Sequence, residues 1–179
     1  MTRVMRDSTT PTDIPVHGTD IVAGYANGSF KWSREGFDRF PGIPHAHIDV
    51  FGTDPHGAGI LDVEPQCADV STAVTWAKQR KAAYPRHYAP IIYCNRGTLT
   101  PLFNAMNEAG LHIVKDFRLW IATLDGTQAV HDMTGVTAVQ YKRARKQAHD
   151  GTFLEPPSES VTTGHYDESL VYDDNWHRA

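Results

Sequence analysis

Residues 59–65 read GILDVEP, and this stretch decides the fold prediction for the chain. It is apolar apart from two acids that stand one residue apart, so an extended strand turns Asp62 and Glu64 to the same face. Leu61 and Val63 then pack on the opposite face. The closing proline cannot continue a central strand. The stretch therefore predicts a buried strand with an acid pair at its C-terminal end, where parallel α/β sheets and barrels build their sites. A surface strand with two solvated acids is the alternative.

Strand and helix patterns alternate along the rest of the chain. Predicted strands are Asp20–Tyr25, Ile43–Phe51, Pro90–Cys94, Leu119–Ala122, Val136–Tyr141 and a stretch within His165–Trp176. Predicted helices are Trp32–Phe40, Asp69–Tyr84 and one that opens at Thr100 and ends at Gly110. Such alternation is typical of an α/β protein with a parallel sheet or barrel. About six strands favour an irregular, abbreviated (β/α) TIM-like barrel, because a full eight-fold barrel usually needs about 250 residues.

Two helix starts carry capping residues. Ser33 is a candidate N-cap, and Trp32 before it and Phe37 beyond it have the spacing of a hydrophobic staple. Asp69 or Ser71 is expected to cap the next helix.

The N-terminal residues differ in composition from the rest. Residues 1–15 are polar and rich in Thr, Asp and Pro, which predicts a flexible leader or tether. They contain no apolar segment of the kind a signal peptide needs. Residues 16–179 are predicted to form one barrel domain. Export would then depend on a lysis system or on incorporation in a particle.

Composition excludes several classes of partner. A net charge of -4 argues against a sequence-independent nucleic-acid binder, which needs a basic surface. No apolar run approaches the roughly 18 residues of a membrane span, so no membrane partner is expected. Two cysteines, Cys67 and Cys94, do not make a disulfide-rich scaffold, and whether they pair is left open. No motif indicates a cofactor.

The acid pair indicates a class of chemistry. Two carboxyl groups that face one cleft are the minimum equipment for cleaving a glycosidic bond. One must hold a proton for the leaving oxygen, and the other stabilises the positive charge that develops on the sugar. Repulsion between Asp62 and Glu64 would raise the pKa of one of them, as an acid catalyst requires.

The order of short motifs along the chain resembles a known family. The motifs are LDVE (61–64), IIYCN (91–95), LWIA (119–122), VQY (139–141) and HYD (165–167). Together they resemble the Chalaropsis-type lysozymes, glycoside hydrolase family 25. They are more closely similar to small lysozyme-like domains of actinobacteria and their phages, found in lysins and minor tail proteins. The opening IVAGYANG (21–28) is similar to that smaller group, and the resemblance covers residues 19–176.

The resemblance implies an irregular (β/α) barrel that cleaves peptidoglycan between N-acetylmuramic acid and N-acetylglucosamine. It implies Glu64 as general acid, with Asp62 orienting the acetamido group or stabilising the charged intermediate. Asp167 would be the catalytic acid of the final strand. Side chains implied to bind the sugar are Asp20, Tyr25, Tyr93, Trp120 and Gln140. Plain core packing is the alternative for the two aromatic residues Tyr93 and Trp120. The short segment between Asp20 and Asp62 predicts a missing or shrunken strand–helix unit.

A second set of polar side chains is also expected to share one face of a strand. His45, His47 and Asp49 share one face of the second predicted strand. Two histidines at this spacing resemble the metal-binding strand of amidohydrolases, but such a site needs further ligands on later strands. The favoured interpretation has no metal and lets these side chains line the cleft, with Asp49 as another substrate-binding acid near Asp62. A metal-dependent, amidohydrolase-like hydrolase is the alternative.

These observations lead to a functional hypothesis with one main competitor. The favoured hypothesis is a muramidase-like glycoside hydrolase whose partner is the glycan strand of peptidoglycan. The competitor is a non-catalytic phage tail-tip domain that binds host cell-wall glycan and has other tail subunits as partners. Either hypothesis places the protein in a phage virion or at the host cell wall.

Overall fold

The structure, a computed structural model, describes residues 2–85, 89–124, 126, 134–144, 146–147, 153–154, 162 and 164–172. Its strands are β1 (Arg3–Asp7), β2 (Ile21–Tyr25), β3 (His45–Asp49), β4 (Ile60–Val63), β5 (Ile91–Asn95), β6 (Arg118–Ala122), β7 (Val136–Lys142), β8 (Lys146–Gln147), β9 (Phe153–Leu154) and β10 (Asp167–Val171). Its α-helices are α1 (Arg34–Asp38), α2 (Val70–Ala83) and α3 (Leu99–Glu108). None of the helices in these ranges is long and apolar enough to cross a membrane.

Eight of the strands close into a barrel in the order β1-β10-β7-β6-β5-β4-β3-β2. Strands β1 to β7 run parallel to one another, and β10 is antiparallel to both of its neighbours, β7 and β1. The short strands β8 and β9 pair separately. The predicted irregular α/β barrel is confirmed, and it has eight strands where the sequence indicated about six.

The barrel is abbreviated in its helices and not in its strands. Within the described residues, α2 and α3 are the helices of ten residues or more, and α1 has five residues. Helices α2 and α3 pack against β4, β5 and β6, while β3 leads to β4 through a loop. A strand across a barrel takes few residues and a covering helix takes many, so short connections let a closed barrel form within 179 residues.

The prediction of a flexible leader over residues 1–15 is wrong, because Arg3–Asp7 is a barrel strand between β2 and β10. Met5 and Asp7 are buried in the interior. Arg6 on the outer face bonds Glu168 of β10 through two guanidinium nitrogens, at 3.0 and 2.9 Å. Polar composition indicated disorder only because these partners are distant in sequence. The barrel domain therefore begins before residue 16.

The core has two layers, which follow from the alternation of side chains along each strand. The barrel interior contains Met5, Ile21, Ala23, Ala46, Ile48, Val50, Ile60, Ile91, Trp120, Ala138 and Val171. A larger outer layer lies between the strands and the two longer helices, and Trp76 of α2 and Phe117 are fully buried there. Leu61 and Val63 belong to this outer layer and Ile60 to the interior, so the alternation predicted for β4 is confirmed.

Local sequence signals explain where the first two helices begin. Ser33 Oγ accepts a hydrogen bond from the Gly36 N–H at 3.3 Å, and the rings of Trp32 and Phe37 lie 4.9 Å apart, which confirms the predicted cap and staple. Asp69 Oδ1 accepts from the Thr72 N–H at 2.7 Å and caps α2. Helix α3 begins at Leu99 with Thr98 as its N-cap, so Thr100, which was predicted to open the helix, lies within its first turn.

Candidate active site

The C-terminal ends of the parallel strands form one mouth of the barrel, and a small pocket lies there. Because β10 is antiparallel, its first residue, Asp167, reaches the same end and pairs with Asp7, the last residue of β1. The pocket has a volume of about 60 Å³. Its lining residues are Asp7, Tyr25, Ile48, Asp62, Glu64, Tyr93, Trp120 and Asp167. Four carboxyl groups therefore meet in one enclosed space. Three belong to the strands β1, β4 and β10, and the fourth, that of Glu64, directly follows β4.

Asp62 is the central carboxyl of this pocket. It is 7% exposed, and its buried Oδ1 has no hydrogen-bond partner within the described residues. Burial, and then the charge of Glu64, raises the pKa of Asp62 to about 7, while a hydrogen bond with the Cys67 thiol acts in the opposite direction. Asp62 thus exchanges its proton near neutral pH.

Glu64 follows β4 and stands at the rim, where it is partly exposed. Burial raises its pKa, and a hydrogen bond with Tyr93 lowers it in part. The Tyr93 hydroxyl also donates to Gln140 Oε1 at 2.6 Å. Since a hydroxyl has one proton, Tyr93 serves either Gln140 or the ionised Glu64 at a given moment.

Asp7 and Asp167 form a second acid pair, on the antiparallel side of the mouth. Burial raises the pKa of Asp7 well above its usual value, and the charges of Asp167, Asp62 and Glu64 raise it further. Burial raises the pKa of Asp167 to about 6. The Ala144 N–H donates a hydrogen bond to the Asp167 carboxylate, and this bond lowers the pKa in part. Four close carboxyl groups cannot all ionise at neutral pH, so the pocket holds protons there.

Aromatic side chains form the floor and walls. Trp120 is fully buried, and its indole N–H donates to Ser169 Oγ at 3.0 Å. Its ring meets Tyr93 edge-on, with centroids 4.6 Å apart. Burial and the neighbouring acids raise the pKa values of Tyr25 and Tyr93, which keeps both hydroxyls protonated. Trp120 thus packs in the core and also lines the pocket.

A larger cavity of about 370 Å³ adjoins the acid pocket, and the two share Glu64. The loop after β4 and the start of α2 form most of its walls, with Thr98 from the segment before α3. In that loop Gln66 has a φ of 73°, which is unusual for a residue with a side chain. The mouth therefore continues from the small pocket, past Glu64, into a wider groove.

Most of the predicted site residues meet at this mouth. Those that line the pocket are Asp62, Glu64, Asp167, Tyr25, Tyr93 and Trp120. Gln140 stands beside it, since it bonds Tyr93 and hydrogen-bonds to Asp167. Cys67 and Cys94 are not paired, because Cys67 packs against the interior layer and Cys94 lies in the outer layer.

The structure does not place Asp20 in the site. Asp20 precedes β2, and its Oδ2 accepts from the Val4 N–H at 2.8 Å, at the barrel end opposite to the mouth. The first-strand acid is Asp7, which sequence reasoning missed. The signal was weak: one acid after residues 3–6, in which two apolar residues stand between two arginines. Between Asp20 and Asp62 the strands β2 and β3 are both present, but α1 has five residues and a loop joins β3 to β4, so this part of the barrel is shrunken, as expected, and no strand is missing from it.

The polar face of β3 points away from the cleft. The ring of His47 stacks on Phe37 at 4.6 Å, and His45 Nε2 lies 3.2 Å from the Phe40 carbonyl oxygen. The inward positions of β3 belong to Ala46 and Ile48. The shared face was predicted correctly, but packing turned it outward, so the placement of these histidines in the cleft is wrong. A metal site at the mouth built on them is excluded for the same reason.

Asp49 shares that outward face and is a structural hub. Its carboxylate accepts five hydrogen bonds, from Asn27 Nδ2 (2.7 Å), the backbone N–H groups of Phe51 (2.9 Å), Gly52 (2.8 Å) and Asp54 (2.7 Å), and Trp76 Nε1 (3.0 Å). The prediction that Asp49 binds substrate is therefore wrong, since it joins β3, the following loop and α2.

Comparison with known proteins identifies a solved structure with a similar fold. No family model and no curated protein matches the chain. A solved structure, described as a family 25 glycosyl hydrolase from Bacillus anthracis, matches with a TM-score of 0.51 and 13% sequence identity. The match covers 96% of this chain and 89% of that chain. At this identity the match shows a shared barrel fold, and the narrower resemblance to actinobacterial and phage domains stays a prediction.

Proposed function

We propose that this protein is a muramidase-like glycoside hydrolase that acts on the glycan of peptidoglycan. The observation that carries the proposal is the cluster of four acids at the mouth of a family-25-like barrel, two of which have a buried oxygen with no hydrogen-bond partner within the described residues. Burial raises the pKa values of Asp7, Asp62, Glu64 and Asp167, and the charges of neighbouring acids raise those of Asp7, Asp62 and Asp167 further. Such a pocket keeps a proton available at neutral pH, which cleavage of a glycosidic bond requires.

Glu64 is proposed as the general acid. It lines both the small pocket and the larger cavity, so a glycan that lies across the mouth passes over it. Its raised pKa keeps a larger share of the carboxyl protonated, ready to donate to the leaving oxygen. Tyr93 hydrogen-bonds with Glu64, so it can hold the carboxylate that remains after the proton has been donated.

Asp62 is proposed as the partner carboxyl beneath Glu64. Its bare Oδ1 can accept the acetamido N–H of the substrate or, when ionised, stabilise the positively charged intermediate. Asp167 and Asp7 are proposed to adjust the charge of the pocket, because each of their charges raises the pKa of a neighbour.

A non-catalytic glycan-binding domain is the second candidate, and one observation favours it. The acid pocket has a volume of about 60 Å³, which suits a substituent such as an acetamido group better than a whole sugar ring. A role in a phage particle, with other tail subunits as partners, belongs to this candidate. In that case the mouth would hold cell-wall glycan without cutting it.

Release of muropeptides from actinobacterial cell walls tests the proposal. We expect Glu64→Gln to lower the release rate by about 10²–10⁴-fold, since a general acid contributes about this much. Glu108→Gln, an exposed acid on α3, is the matched control and should keep the wild-type rate. If Glu64→Gln releases fragments as fast as wild type, the proposed acid is wrong. If wild type sediments with walls but releases nothing, the binding candidate replaces the enzyme.

A further inference from the structure

Within the described residues, the exposed aromatic side chains lie at one end of the barrel. The large apolar side chains exposed in the described part of the chain are Val16, Phe30, Phe51 and Val114. Phe30 and Phe51, at 55% and 51% exposure, follow the C-terminal ends of β2 and β3 and so lie at the mouth. Val16 and Val114 lie in connections that lead into β2 and β6, toward the opposite end. Both exposed aromatic rings thus stand on the side where the acid pocket opens.

The two loops that carry these rings are joined by hydrogen bonds. Asn27 in the first loop donates to Asp49 Oδ1 at 2.7 Å, and its Oδ1 accepts from the Val50 N–H at 2.9 Å. Asp49 also accepts from the Phe51 N–H, at 2.9 Å. The backbone under Phe51 is therefore held before any ligand arrives, which lowers the entropy lost on binding.

The Phe30 ring adjoins Tyr25 of the acid pocket, and the loop that carries Phe30 lies against the Phe51 ring. The Phe30 ring lies 6.2 Å from the ring of Tyr25, and Tyr25 lines the pocket. Gly28, at φ 77°, brings its loop against the second ring, because a Cβ there would stand 2.8 Å from Val50 Cγ2 and 3.6 Å from Phe51 Cε2. The surface formed by Tyr25, Phe30 and Phe51, called here the aromatic platform, leads outward from the acids.

We infer that the aromatic platform is a carbohydrate-binding subsite, on which a sugar ring of the bound glycan stacks at a distance from the bond at Glu64. This inference rests on the proposed function. The apolar C–H face of a pyranose suits an aromatic face, and exposed polar neighbours such as Lys31 and Thr53 can bond its hydroxyls. The platform makes affinity depend on glycan length, because a short fragment fills the pocket without reaching it.

Binding of purified peptidoglycan glycan fragments, a disaccharide and an octasaccharide, tests the inference by calorimetry. The parent protein is Glu64→Gln, which prevents turnover. We expect Phe30→Leu with Phe51→Leu to weaken octasaccharide binding by about tenfold and to leave disaccharide binding unchanged. Phe30→Tyr with Phe51→Tyr keeps both rings and should retain the affinity. Val16→Ala, an exposed apolar side chain at the other end, is the control.

The outcomes separate the subsite from the proposed function. If the parent binds the octasaccharide and the leucine pair binds it equally well, the subsite is wrong and the proposed function stands. An equal loss in Val16→Ala also overturns the subsite, because the effect is then unrelated to the platform. If the parent binds neither fragment and wild type neither binds nor cuts walls, the proposed function fails, and the subsite fails with it.

Discussion

Two sets of buried carboxyl groups in this barrel show opposite behaviour. Asp62 and Asp7 at the mouth each have a buried oxygen without a hydrogen-bond partner in the described part of the chain, and their pKa values are raised. Asp49 and Glu168 on the outer face are also buried, and burial acts to raise their pKa values too. There, hydrogen bonds from several donors outweigh burial, and the pKa values are lowered.

This difference shows that the hydrogen-bond donors around a buried carboxyl group, more than its depth in the protein, decide whether it keeps its proton. Glu168 accepts from Tyr141, Arg6 and Lys142, and so joins β10 to both of its neighbours. Such an acid stabilises the fold while it is ionised. Asp62, with one thiol partner and a like charge beside it, opposes folding when ionised. A strained, proton-holding group is what a site for acid catalysis needs.

The largest expected effect comes from removing an outer acid. Asp49→Ala leaves several buried donors without an acceptor, and we expect it to lower the free energy of unfolding by about 3–5 kcal/mol. Urea unfolding at neutral pH measures this. Asp38→Ala is the control, because Asp38 is exposed and forms an exposed ion pair with Arg34, and its change should stay within about 0.5 kcal/mol. Equal effects for the two variants would show that Asp49 is no hub.

The next effect concerns Asp62 at the mouth, whose substitution should raise the free energy of unfolding at high pH and not lower it. The pKa of Asp62 rises from 3.8 to about 7 on folding, so the folded protein holds a proton that the unfolded chain loses between these values. Stability contributed by this group is therefore lost as pH rises from about 4 to about 7, by at most about 4 kcal/mol. We expect Asp62→Asn to remove that loss, and to be more stable than wild type at about pH 8 but not at about pH 4.

Urea unfolding of both proteins at the two pH values checks this, with Asp49→Asn as the contrasting variant. The pKa of Asp49 is lowered, so its contribution is present above the unfolded value of 3.8 and is lost as pH falls. Asp49→Asn should therefore be destabilised by nearly the same amount at both pH values, because both lie above 3.8. If the stability of Asp49→Asn relative to wild type shifts between the two pH values as far as that of Asp62→Asn, the distinction between mouth and outer acids does not hold.

The smallest expected effect tests the hydrogen bond between the Cys67 thiol and Asp62. The Cys67 thiol lowers the pKa of Asp62, so Cys67→Ala should move the titration midpoint of this carboxyl upward, by less than about one pH unit. Carbon-13 NMR of the carboxyl group follows the titration. Cys67→Ser keeps a donor and should leave the midpoint close to the wild-type value. A downward shift in Cys67→Ala would mean that water entering the pocket outweighs the lost bond.

Much of the barrel could be predicted because its signals are local. Alternation in residues 60–64 placed Asp62 and Glu64 on one face, and the structure has both lining one pocket. Capping by Ser33 and Asp69 could be predicted because N-cap bonds span three residues. The strand Arg3–Asp7 could not, because it pairs with Asp167–Val171, near the other end of the chain. Arg6 of this strand looked solvated in sequence and is paired with Glu168 in the fold.

The sequence by itself determined which residues share a face, where the first two helices begin, and that acids end a buried strand. These properties depend on the period of the backbone and on neighbours a few residues away. Only the tertiary structure decided which face points inward. It placed Asp49 on the outer face, where the carboxylate accepts a hydrogen bond from Trp76 of α2, and it brought Asp7 opposite Asp167. Closing the barrel also decided which carboxyls found donors. The pKa of each acid depends on those distant partners, so the chemistry of the mouth was set by packing.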